Sequence, residues 1–133
     1  DKAVDYWSFG VLIYEMLVGH SPFYHHGTDQ VSLFKRIVMV KYACPPSVND
    51  DAKNLIKQLL VRRQASRLGN LSRGYLDIKE HPWFKTMNWD KLMNYQLKAP
   101  WIPTLKNPLD ASHFDDFSRE ERERETGRPL KAS

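Results

Sequence analysis

Between residues 4 and 18 the chain reads VDYWSFGVLIYEMLV, and its apolar positions fall on nearly every side of a helical wheel. Such a helix is normally buried all round. Gly19 follows as the expected C-cap, and Pro22 prevents continuation. Gly10, in mid-helix, costs about 1 kcal/mol relative to Ala. Close packing of another backbone would explain it. A second helix is predicted behind Thr28 as N-cap, with Val31, Phe34, Ile37 and Val38 at helical spacing. Pro45 and Pro46 break the chain. Ser47 or Asn49 can then cap a third helix carrying Ala52, Leu55, Ile56, Leu59 and Leu60. Asp50 and Asp51 sit in its first turn, where the helix dipole favours negative charge.

Residues 69–74 form a turn-rich loop. A short helix is predicted over 75–80, running into His81-Pro82-Trp83-Phe84, and another begins at Asn88 or Asp90. From Ala99 the texture changes to single apolar residues among Pro100, Pro103 and Pro108. This reads as an extended strap without helices or strands. Residues 118–131 are mostly charged and expected to be mobile. No repeat or hairpin pattern occurs. The expected fold is mainly α with an extended C-terminal tail.

Composition narrows the classes. Aromatic residues make up 12% of the 133, including four Trp, which argues for packing and against disorder. The single cysteine, Cys44, can form neither an internal disulfide nor a zinc site, and suits an inert buried thiol in a reducing compartment. No apolar run approaches the ~18 residues of a membrane span. The net charge of +4 suits anionic partners, ATP among them. No Arg/Lys stripe is interleaved with aromatics, so nucleic-acid binding is not expected. The first residue is Asp1 rather than Met, as expected of a piece of a longer polypeptide.

Several segments carry a resemblance. They are Asp5-Tyr6-Trp7-Ser8-Phe9-Gly10-Val11; Gly19-His20-Ser21-Pro22-Phe23; Ser66-Arg67-Leu68-Gly69-Asn70 with Asp77-Ile78-Lys79-Glu80-His81-Pro82-Trp83-Phe84; Ala99-Pro100-Trp101-Ile102-Pro103; and Phe114-Asp115-Asp116-Phe117. In this order they resemble the C-lobe and tail of AGC-group serine/threonine protein kinases, most closely the cAMP-dependent catalytic subunits. The resemblance runs from Asp1 to about Phe117. It implies the C-terminal portion of a kinase domain over 1–85 and an AGC tail over 86–133, hence the helical C-lobe portion of the kinase fold as an incomplete domain. No G-x-G-x-x-G, H-R-D, D-F-G or A-P-E occurs. No catalytic residue is therefore expected in this chain. ATP and Mg2+ would belong to a full-length parent, and the chain alone would be inactive.

The resemblance also implies roles. Asp5 would accept backbone N–H groups of a catalytic loop, against the plainer reading of a helix-dipole partner, and Trp7 would support that region by packing. Glu15 would recognise an Arg upstream of the phosphoacceptor, since a carboxylate and a guanidinium can bond in bidentate fashion. Its plainer reading is a structural ion pair. Arg67 would pair with a Glu of the activation segment. That Glu is not in this chain, so an orphaned Arg67 is expected. Phe114 would lie against adenine, or merely anchor the strap. Phe117 stands where related kinases often have Tyr, and no role is carried to it. Trp7, Trp83, Phe84 and Trp101 are expected to pack. Adjacent His25 and His26 read as solvated, and Asp115-Asp116 lack a metal ligand set. Thr126 lies near the family's turn phosphosite without matching it, and no terminal F-x-x-F occurs.

The expected function is thus that of an intracellular, cytoplasmic kinase acting on basic protein substrates, with the nucleus open as a second location. The resemblance leaves room for a regulatory subunit. The rival is a non-catalytic module that binds a kinase or substrate. An apolar first helix without the helices that would cover it predicts a large exposed apolar patch and association of the isolated chain.

Overall fold

In the computed structural model, residues 2–114 are described. They contain helices and turns, and no strand. Helix α1 spans Lys2–Val18, starting two residues before the apolar run. It closes at Gly19, whose φ of +86° only glycine adopts readily and whose N–H donates to the Glu15 carbonyl at 2.8 Å. Helix α2 spans Gln30–Val38, and its N-cap is Asp29, not Thr28. The Asp29 carboxylate accepts from the Ser32 N–H at 3.0 Å, and those bonds hold it below the usual carboxylate range. The Thr28 hydroxyl instead accepts from the His25 N–H, bracing the preceding loop. Helix α3 spans Asp50–Leu59. Of the two candidate caps the chain uses Asn49, whose Oδ1 accepts from the Ala52 N–H at 2.7 Å. The 3-10 turn Gln64–Ser66 was not foreshadowed by the apolar pattern. Helix α4 (Leu76–Lys79), a Pro82–Phe84 3-10 turn and α5 (Trp89–Met93) complete the set.

The core lies between α1 and α3. Ile13, Leu55, Ile56 and Leu59 are fully buried, with Tyr14, Phe23, Leu60, Leu68 and Ile78 around them. Each such side chain contributes roughly 1.5–3 kcal/mol relative to exposure. Gly10 sits at the crossing. A Cβ there would lie 2.8 Å from Leu59 Cβ and 3.0 Å from Leu60 Cδ2, so the absent side chain sets how closely the helices approach. Gly69 (φ +89°) is tighter still, since its Cβ would meet Ile78 Cδ1 at 2.6 Å and the Tyr6 ring at 2.8 Å. The Tyr14 hydroxyl donates to the Ala43 carbonyl at 2.8 Å, tying the α2–α3 connection to α1.

Burial of α1 is not all-round. Ala3, Gly10, Ile13 and Tyr14 are buried, whereas Val4, Leu12, Met16 and Leu17 are exposed, Met16 by 65%. Helix α2 buries no residue completely and exposes Val31, Phe34 and Val38. Both faces form the exposed apolar surface expected of a first helix without its full covering.

The chain divides into two compact units, Asp1–Trp89 and Asp90–Ser133. In the second, residues 99–114 carry neither helix nor strand. The Asp110 carboxylate organises this strap by accepting the Lys106 and Ser112 N–H groups at 2.8 and 2.9 Å, bonds that lower its pKa. Trp101 does not pack as expected. It is 67% exposed and meets the His113 ring edge-on. Asp115, Asp116, Phe117, Thr126 and the charged 118–131 run lie outside the described residues.

Candidate functional site: one face of the first helix and its Arg67 staple

Asp5, Ser8, Leu12, Glu15 and Met16 recur along α1 at helical spacing and are exposed, together with Val4. The two carboxylates thus share one solvent-facing stripe, about 15 Å apart along the axis at 1.5 Å per residue. Asp5 lies in the first turn, where the helix dipole favours it. It does not serve as a cap, because the helix has already begun at Lys2. Glu15 takes part in no salt bridge among the described residues. The stripe presents two negative groups among apolar side chains, a surface suited to a cationic partner with an aliphatic stem.

Arg67 stands behind this stripe. It is only 5% exposed, yet it is not orphaned as expected. Its Nε and Nη2 donate to the Val61 carbonyl at 3.1 and 2.7 Å, and Nη1 donates to the Ala3 carbonyl in the first turn of α1. Its guanidinium lies over the Trp7 ring, 5.0 Å from the centroid, a favourable cation–π placement. Trp7 in turn stacks on Phe23 at 5.7 Å and 7°. Backbone carbonyls and a ring face thus solvate the buried charge. Burial still pulls the guanidinium below its ordinary range. Arg67 staples the start of α1 to the segment that follows α3. A guanidinium carries five N–H donors, and three of them find acceptors among the described residues. One N–H remains on each Nη, enough for a carboxylate's two oxygens.

Phe114 lies in the second unit and is 79% exposed. The described residues hold no cluster of three His, Cys, Asp or Glu side chains.

Two polar centres were not among the site residues expected from the sequence. His81 is buried. Its Nδ1 accepts from the Trp83 N–H at 3.2 Å, so Nε2 carries the proton and faces Asn54 Oδ1 at 2.9 Å. Burial lowers its pKa, with Asp51 partly opposing. The second centre is Arg36 with His25, whose contact at 2.7 Å crosses from α2 to the preceding loop.

The pattern described as "Protein kinase domain" matches residues 1–84, and the chain belongs to the protein kinase family, as a mainly α, C-lobe-type portion of that fold. Its relatives place it in the AGC group. It is 42% identical over 122 residues to "cAMP-dependent protein kinase type 3" of Saccharomyces cerevisiae, covering 91% of this chain and 30% of that protein. Over 130 residues it is 39% identical to "cAMP-dependent protein kinase, catalytic subunit-like" of Caenorhabditis elegans, covering 98% and 31%. It is also 38% identical over 120 residues to "Protein kinase C-like 2" of Schizosaccharomyces pombe, covering 90% and 12%. The chain therefore spans about a third or less of the length of these relatives. No described helix is long and apolar enough to cross a membrane.

Proposed function

We propose that this chain is the substrate-side part of an intracellular serine/threonine kinase whose full polypeptide transfers the γ-phosphoryl of Mg-ATP to basic protein substrates. Such catalysis is positioning plus charge stabilisation. The chain's share is positioning, and alone it does not phosphorylate. The observation that carries this reading is Glu15, an exposed carboxylate on a helix anchored to the core by Ile13 and Tyr14. Fixed on that helix, it receives an arginine of the substrate. Asp5 holds the catalytic loop through backbone N–H groups. The two remaining Nη donors of Arg67 take a carboxylate of the activation segment. Residues 86–133 act as the tail, with Phe114 against adenine.

The test is Glu15→Ala in the longest natural polypeptide that carries this chain. Loss of a charge-assisted bond worth about 1.5–3 kcal/mol lowers kcat/KM on an arginine-containing peptide roughly 10- to 150-fold. An arginine-free peptide loses much less. Equal kcat/KM for both enzymes on the arginine peptide sinks the reading.

A second reading rests on the exposed apolar faces of α1 and α2, through Val4, Leu12, Met16, Phe34 and Val38. They suit a non-catalytic module that binds a kinase or a substrate. An antibody against residues 118–133 separates the two readings. A band far above 15.6 kDa supports the kinase, and a dominant band near that mass supports the module.

A further inference from the structure

A cavity of about 430 Å3 opens between the end of α1, the loop before α2, α2 itself and the residues after it. This is within the usual range for small-ligand sites. Its polar wall comes from His20, His25, Arg36 and Lys41, with Tyr14 and Cys44 beside them. Among the described residues no carboxylate lines it, and neither Arg36 nor Lys41 forms an ion pair.

The bonding pattern sharpens this. Arg36 Nη2 lies 2.7 Å from His25 Nε2. A guanidinium only donates, so His25 Nε2 accepts and the imidazole is neutral. Arg36, only partly exposed, has therefore found a neutral partner where a carboxylate is the usual one. Its Nε is buried without an acceptor. His20 Nδ1 is 3.0 Å from the Ser21 carbonyl, which fixes the proton on Nδ1 and leaves Nε2 unconstrained. The remaining groups supply no negative charge. Burial keeps the Tyr42 phenol protonated, pushing its pKa up to about 12, and raises the Cys44 thiol. The Tyr14 hydroxyl is committed to Ala43.

We propose that this cavity binds a phosphate monoester, with Arg36 and Lys41 supplying the charge. A phosphate oxygen can take the uncommitted Nη donors of Arg36, and the dianion balances two cations that form no ion pair among the described residues. The phosphate comes from a phosphorylated protein side chain or a small phosphate ester. The proposal does not rest on the kinase reading.

The test uses the longest natural polypeptide carrying this chain, with 13C-labelled histidine, titrated with inorganic phosphate at fixed pH. Chloride holds the ionic strength constant. The ring signals of His20 and His25, assigned by single His→Gln substitutions, are expected to shift saturably. Arg36→Gln weakens that binding at least about tenfold, as loss of a charged donor does. Lys41→Gln, on an exposed side chain, weakens it too and carries the test should Arg36→Gln disturb the fold. A phosphoserine peptide that binds more tightly than inorganic phosphate identifies the source as protein, and equal affinity identifies a small ester. Shifts that chloride alone reproduces overturn the proposal. So does phosphate affinity unchanged in both variants, or a glutamate peptide binding as tightly as the phosphoserine one.

Discussion

Replacing Gly10 by Ala sets two effects of known size against each other. In an isolated helix the change stabilises by about 1 kcal/mol. Here the added Cβ would lie 2.8 Å from Leu59 Cβ, closer than carbon atoms pack, and 3.0 Å from Leu60 Cδ2. Leu60 can turn its side chain aside. Leu59 cannot, because a Cβ moves only with its backbone. The helices must then part by several tenths of an ångström, loosening the contacts of Ile13 and Leu55, both fully buried. Overpacking of that kind costs about 1–3 kcal/mol. Sterics therefore offset the propensity gain or exceed it, and Gly10→Ala loses up to about 2 kcal/mol net. Urea denaturation followed by circular dichroism at the helix band measures it. Ser8→Ala, on the exposed stripe of the same helix, serves as the control and stays near wild type or slightly above. If Gly10→Ala raises the midpoint as a simple propensity gain would, the close α1–α3 crossing is wrong.

Arg67→Met keeps much of the stem but strips the Val61 carbonyl of both its Arg67 donors. The unpaired carbonyl and lost ring contact outweigh the relieved desolvation, for a net loss of about 1–3 kcal/mol in the same assay. A variant as stable as wild type would show that the staple contributes nothing. Asn49→Ala removes the cap on the Ala52 N–H and lowers stability by about 1 kcal/mol, whereas Asn49→Asp leaves it nearly unchanged. For His81 the sign follows from burial. Its folded pKa lies below the ordinary value of 6.5, so the unfolded chain takes up a proton that the folded chain resists. Its contribution is complete above about pH 6.5 and is lost as pH falls from there towards the folded pKa. Denaturation midpoints at pH 7.5 and 5.5 should differ more for wild type than for His81→Gln. Equal differences refute the assignment.

The elements were legible wherever one residue type fixed one conformation. The apolar period gave α1 and α3, Asn49 was one of two candidate caps, and Gly19 marked the end of α1. The start of α2 was misplaced by one residue because Thr28 and Asp29 both have the oxygen a cap needs. The extended backbone at Asp29 (φ −70°, ψ 159°) decides between them. The end of α2 carried no signal, since Val40 takes a left-handed φ of +52°, which β-branched residues rarely adopt. Motif spacing marked Asp5, Glu15 and Arg67, but no spacing rule could pair Arg67 with Val61 and Ala3. Those acceptors are main-chain carbonyls, which every residue has. The same blindness hid His81 and Arg36, whose partners are set by tertiary approach.

The pairing of Arg67 bears on how the fold and the proposed activity fit together. Had all five donors been consumed internally, an activation-segment carboxylate could bind only by breaking a bond that anchors the first turn of α1. Had none been used, the buried cation would cost several kcal/mol whenever that carboxylate left. Three bonds to main chain with one N–H free on each Nη avoid both extremes. The staple holds without the proposed carboxylate, and docking of one would add to it without rearranging it. Arg67→Lys separates the two functions. A lysine in the same place retains a charge and one donor to Val61, but it cannot fork towards a second partner. In the longest natural polypeptide it should lose activity more steeply than stability, with kcat reduced at least about tenfold for a stability loss under about 2 kcal/mol. Activity and stability falling in step would mean that Arg67 serves the fold alone.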